Sequence, residues 1–162
     1  TIDSAGRILQ PAKPAFSVTR HESAAAYLSG HITFDTATLN VGNCWDGTNK
    51  FQAPVAGAYH FSMTGFCSGT SGQMDDGNQY KGYLQKSSQS NFGDVSGATG
   101  HLAQTYSYVS GTGGGGYFTI TMSATVLLAA NDYVRYFVSA GRLYTNTAAD
   151  RYSPVFSGFL IG

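Results

Sequence analysis

The sequence predicts an all-β sandwich, and three observations lead there. Apolar residues recur at every second position in short runs, the mark of strands half-buried on one face. Glycine, of which there are 21, joins Asn, Asp and Ser in separating one run from the next. No segment long enough for a three-turn helix carries a 3.6-residue repeat. The runs number about ten, and 162 residues suffice for one domain with a sizeable core.

Composition narrows the function classes. Charged residues are 11% of the chain, under half of the usual share of about 25%, while aromatics reach 14%, with 11 Tyr and 10 Phe. So little charge implies a surface that is partly covered by other chains, or one dense in hydroxyls and amides. The formal net charge is zero and no basic stripe is present, which argues against nucleic acid. No apolar run approaches about 18 residues, which argues against membrane insertion.

Taken in order, residues 1–13 read as a connector from an upstream shaft or stalk, stiffened by Pro11 and Pro14. The domain proper is 14–162. Its first strand is 14–18, with Phe16 and Val18 on one face. Residues 21–28 read as a loop or edge strand. Strands are expected at 32–35, where Ile32 and Phe34 share a face, and near 38–41, followed by turns at Gly42 and at 45–49. Phe51 and Val55 flank Pro54, and Gly57 reads as the turn before a strand at 58–66, where Tyr59, Phe61 and Met63 alternate with polar residues. Further strands are expected at 80–86 and 101–109. The clearest is 118–128, in which Ile120, Met122, Ala124, Val126 and Leu128 alternate with Thr and Ser. A turn at 129–132 sends the chain back as 133–138. Segments 68–79, 87–100 and 139–152 read as loops. The last strand, 155–161, is apolar on both faces, with Val155, Phe159 and Ile161 opposite Phe156 and Leu160. An antiparallel strand normally has one wet face, so this one is central or covered by another subunit. These patterns leave immunoglobulin-like and jelly-roll topologies both open.

The ordered series does more. Phe16 and Val18, Ile32 to Asp35, Trp45 and Asp46, Phe51 with Pro54, Val55, Gly57, Tyr59 and Phe61, then Val126 to Leu128, Asp132 to Val134, Leu143 with Tyr144, and Phe156 to Leu160 resemble the globular head of complement C1q. That family lies among the tumour necrosis factor-like jelly rolls. The resemblance implies a two-sheet, ten-stranded jelly roll that assembles as a homotrimer. The segment from Ile2 to Phe16 is also similar to the lead-in of complement-head-like modules at the ends of bacteriophage fibre and other virion proteins. There is no Gly-X-Y repeat in these residues and no Asn-x-Ser/Thr sequon. The resemblance therefore implies a virion-surface head that trimerises the chain and recognises a host cell-surface receptor or glycan. The alternatives are a structural trimerisation cap or capsid decoration protein, and a secreted ligand of a protein receptor.

Candidate chemistry follows the same division. Phe16, Tyr136, Phe156 and Phe159 are expected in the core or trimer interface. Asp75, Asp76, Asn78, Tyr106, Tyr108, Tyr144 and Tyr152, with Tyr80, are candidate receptor contacts, because tyrosine stacks on sugar rings and amides read hydroxyls. No cofactor is expected. Calcium is a weak option at Asp75 and Asp76, which lack the spacing of a helix–loop–helix site, with Asp94 a further candidate nearby. His21, His31, His60 and His101 fall in separate segments and no Gly-x-Ser-x-Gly context occurs, so no enzyme is expected. The run 111–116 lacks the lysine and helix of a phosphate loop. Cys44 and Cys67 read as two buried thiols, with one disulfide as the alternative.

Overall fold

A computed structural model describes residues 13–22, 26–68, 74, 76–110, 116–146 and 153–162. The expected connector, apart from Lys13, lies outside the described residues. Ten strands follow in order: β1 (Ala15–Thr19), β2 (Ala26–His31), β3 (Thr36–Val41), β4 (Lys50–Gln52), β5 (Gly57–Ser68), β6 (Gln79–Ser87), β7 (His101–Tyr108), β8 (Phe118–Leu128), β9 (Tyr133–Thr145) and β10 (Val155–Leu160). All pairings between them are antiparallel. One layer runs β3-β1-β10-β5-β8. In the other, β9 has β6 and then β7 on one flank and β2 and β4 on the other. The layers join where Phe66, Cys67 and Ser68 of β5 pair with Tyr144, Leu143 and Arg142 of β9. This is the expected ten-stranded, two-layered sandwich.

Period-two alternation explains the packing. Phe16 and Val18, then Tyr59, Phe61 and Met63, then Ile120 and Met122 turn inward and are buried. Aromatic rings fill the centre: Phe16 stacks on Trp45 at 5.2 Å and meets Phe156 edge-on at 4.9 Å, while Phe51 lies against Tyr59 at 5.3 Å. On β9, Tyr136 is fully buried and its hydroxyl is hydrogen-bonded to that of Tyr80. Burial pushes the pKa of both phenols up. Gly82 makes this pair possible, because a Cβ there would stand 2.2 Å from the Tyr136 hydroxyl. Cys44 and Cys67 are free, buried thiols. Burial raises Cys44 to about 11, the opposite of an activated nucleophile.

Three expectations are corrected. Residues 32–35 are extended but form no ladder. Ile32 and Phe34 point into the core, their N–H groups donating to the carbonyls of Tyr136 at 3.3 Å and Thr48 at 2.7 Å. Alternation reports burial here, not pairing. Gly57 opens β5 without a positive φ. It is small because a Cβ would lie 2.6 Å from Leu160 Cδ1. Residues 139–145 are not loop but the second half of β9. Gly141, at φ 68°, bends the strand over Gln79 and Tyr80 so that Leu143 reaches the core. Of the two readings left open for residues 21–28, loop or edge strand, the edge strand holds from Ala26 onward: β2 pairs only with β9 among the described strands.

The turn before β4 rests on one carboxylate. Asp46 Oδ1 accepts the N–H groups of Thr48, Asn49 and Lys50 at 2.8, 2.9 and 3.2 Å, and Oδ2 accepts the Thr48 hydroxyl at 2.8 Å. Partial burial opposes ionisation, but these four hydrogen bonds outweigh it and hold the carboxyl pKa below the usual range. Asp46→Ala is expected to cost about 1–2 kcal/mol in urea unfolding at neutral pH. The folded-state pKa is depressed, so this contribution is full above the unfolded carboxylate range. It disappears as pH falls through the folded value. The gap between wild type and mutant therefore shrinks on acidification. A gap that stays constant with pH would contradict the assignment.

Candidate functional site

The outward face of the β3-β1-β10-β5-β8 layer is unusual for what it lacks. Register places Ala15, Phe159, His60 and Thr125 in one row. The next row holds Ser17, Ser157, Ser62 and Ser123, and a third holds Thr19, Val155, Thr64 and Thr121. None of these residues carries a permanent charge. Beyond the first row, Ile161 donates its N–H to Ala58, which pairs with Leu127. Large apolar side chains stand open on this face: Leu127 is 75% exposed, Phe159 49% and Ile161 46%. The Phe159 ring rests on His60 at 5.6 Å, and His60 Nδ1 lies 3.0 Å from the Thr125 hydroxyl. Cations stand at the end of this face, where Lys13 Nζ donates to the Ile161 carbonyl at 2.6 Å and Lys86 Nζ to that of Leu127 at 3.3 Å. A half-apolar sheet face whose central rows lack charge marks an interaction surface.

The four core or interface candidates separate. Phe16, Tyr136 and Phe156 are interior to a single chain, whereas Phe159 alone is on the open face.

The receptor-contact candidates separate too. Tyr106 and Tyr108 are exposed, but they stand on strand β7 rather than a loop, paired with Lys81 and Gln79. Asp76 and Asn78 lie beside them, because Gly77 N–H donates to the Val109 carbonyl at 2.9 Å and Val109 N–H to that of Asn78 at 3.0 Å. These four residues therefore share one end of the β6–β7 pair. Lys81 lies 5.4 Å from the centre of the Tyr106 ring, and the two line a shallow groove of about 190 Å³ with Tyr83. Tyr144 does not fit the role. It is 7% exposed and packs against Tyr117 at 4.4 Å and Tyr27 at 5.4 Å, because β9 continues through it. Tyr80 is fully buried. Asp75 and Tyr152 lie outside the described residues.

Sequence reasoning missed Arg135 with its neighbours Gln85 and His101. Arg135 interrupts an apolar run on β9 at the register of Tyr133 and Phe137, and that misplaced cation was the available signal. The metal and catalytic options gain no support. Among the described residues no group of three or more His, Cys, Asp or Glu converges. Asp94, the other candidate oxygen ligand, is engaged by Ser87 and Ser88, and these bonds hold it down to about 2. His21 Nδ1 contacts Thr19 and Thr36 and lies 3.9 Å from Asp35 on the surface.

Comparison with known proteins bears on this geometry. A family model described as "C1q domain" matches residues 15–103. The globular domain of zebrafish complement 1qA protein superposes with a TM-score of 0.61 at 22% identity, over 93% of this chain and 98% of that one. Eiger TNF from S. frugiperda gives 0.63 at 13% identity, over 93% and 94%. At these identities the two structures testify to fold alone. No curated protein matches the sequence.

Proposed function

The chain belongs to the C1q domain family of tumour necrosis factor-like jelly rolls, and on that premise we propose that it is a homotrimeric, non-enzymatic recognition head. Three chains meet through the open apolar face of the β3-β1-β10-β5-β8 layer, and the opposite layer with its β6–β7 end is left for a partner. The observation that carries this reading is the open apolar set Phe159, Leu127, Val155 and Ile161 on a face whose three central rows hold no permanent charge. Burying side chains of this kind contributes about 1.5–3 kcal/mol each, and three copies around an axis bind without ion pairs. A trimer also presents every surface site three times, so a weak single-site affinity is raised by avidity.

The lead-in segment supports a place at the end of a virion fibre, with residues 1–13 as the connector and a host cell-surface receptor or glycan as the partner. Solution mass by light scattering tests assembly first: the expected value is three times the 17.1 kDa of one chain. A monomer overturns the trimeric reading. Binding of the trimer to host cells separates a recognition head from a structural cap or decoration protein. The sequence encoded upstream tests the context. A fibrous shaft beside other particle genes is expected, and a secretory leader with a Gly-X-Y stalk would turn the reading to a secreted ligand.

A further inference from the structure

Among the described residues Arg135 has no counter-ion for its charge. Its side chain is on the outer surface of the β9-β6-β7 layer, yet the residue is only 8% exposed. Nε donates to Gln85 Oε1 at 2.9 Å. The guanidinium lies 3.9 Å from the centre of the Phe92 ring and 5.4 Å from that of Phe137. Among the described residues no carboxylate is within ion-pairing distance, and the terminal amino groups have no protein acceptor. Asp132, three positions away, is taken by Lys86 at 2.9 Å, and Asp94 by its serines. Burial pushes the Arg135 pKa down to about 10. Buried charges are ordinarily paired.

The guanidinium opens into a groove of about 400 Å³ lined by His31, Tyr83, Gln85, His101 and Phe137, the size of a small-ligand site. Its hydrogen-bond polarity can be followed. Gln85 Oε1 accepts from Arg135, so the Gln85 amide nitrogen donates to His101 Nε2 at 3.2 Å. That contact makes His101 Nε2 an acceptor and leaves its proton on Nδ1. No Asp or Glu lines the groove, which offers donors and awaits an acceptor. Two aromatic surfaces flank it: Tyr83 stacked on His101 at 4.2 Å, and Phe137 against His31 at 5.5 Å. Burial lowers the pKa of both histidines, so at neutral pH a single positive charge faces the ligand. One charge matches a carboxylate better than a phosphate dianion, and aromatic flanks match the face of a pyranose.

We infer that this groove binds an acidic sugar, its carboxylate on the Arg135 amino groups and its ring against Tyr83 and Phe137. The inference rests on the recognition-head reading and gives it a ligand class and a place. Glucuronic acid and N-acetylneuraminic acid are to be titrated into the assembled protein by saturation-transfer NMR, alongside glucuronamide, the uncharged counterpart of the first. The expected result is saturable binding of the acids and at least about tenfold weaker binding of glucuronamide. Arg135→Met, close in length and uncharged, is expected to abolish the discrimination. Ser139→Trp, at an exposed position lining the groove, is expected to block both ligands while Arg135 stays in place. Equal binding of glucuronic acid and glucuronamide, or no saturable binding of either acid, overturns the inference. So does N-acetylglutamate competing as well as the sugars, which would make the partner an acidic peptide. A trimer that binds cells but no acidic sugar leaves the recognition head standing without this site. A monomer that binds acidic sugar does the reverse.

Discussion

Phe159→Asp is expected to reduce the solution mass from three chains to one, with the fold retained. Phe159 is 49% exposed, and its inward-facing neighbour Gly158, not Phe159, approaches Phe61 and Phe16. The monomer therefore loses little when the ring is removed. The assembly loses much more. The substitution sets a carboxylate between Ala15 and His60, in a row with no permanent charge. Three copies would be brought into one dry interface, and each unpaired ion withdrawn from water costs on the order of several kcal/mol. Light scattering and circular dichroism on the same sample decide the outcome. A folded monomer is expected, and a soluble trimer would remove this face from the interface. Tyr106→Asp is the control: it puts the same charge on an exposed residue of the other layer and is expected to leave the mass unchanged.

The contrast between Phe159 and Phe156 also shows how far a sequence can be read. Alternation identified the last strand and its two apolar faces, but not which face the chain itself would cover. That depends on which layer β10 joins, and β10 lies between β1 and β5, far from it in sequence. The second half of β9 was hidden for a related reason. Ser139, Ala140, Gly141 and Arg142 have the composition of a turn, and only the approach of Gln79 and Tyr80 to Gly141 shows that its positive φ bends a strand rather than ending it. Tyr144 was misplaced with that segment. Tyr106 and Tyr108 were singled out for the stacking chemistry of tyrosine, and only the position of β7 shows that they are exposed. The Arg135 groove was not singled out, because its members come from β2, β6, β7, β9 and the excursion before β7. No local pattern links Gln85 to His101 and Arg135; cross-strand register does.

Phe156→Ala is expected to lower stability by about 3–5 kcal/mol, in the range of large-to-small aromatic truncations. Phe156 is fully buried. Its ring meets Phe16 at 4.9 Å, Phe34 at 5.8 Å, Trp45 at 5.9 Å and Phe61 at 6.3 Å. These partners come from β1, the extended 32–35 segment, the bridge at Trp45 and β5, so the void would be bounded by four separately held pieces of chain. Each piece is held by its own backbone bonds, such as Phe34 N–H to Thr48 at 2.7 Å, which resist closure of the void. A typical domain has only about 5–15 kcal/mol in total, so the mutant would stand near its unfolding threshold. Assembly adds to apparent stability by mass action, so the urea midpoint must be compared at equal protein concentration. Labelling of the buried Cys44 and Cys67 thiols under native conditions gives an independent reading and is expected to accelerate in the mutant. A loss below about 1 kcal/mol would mean that the aromatic cluster can repack. Phe156 would then be one ring among several, not the one that holds β10 in place and sets Phe159 on the open face.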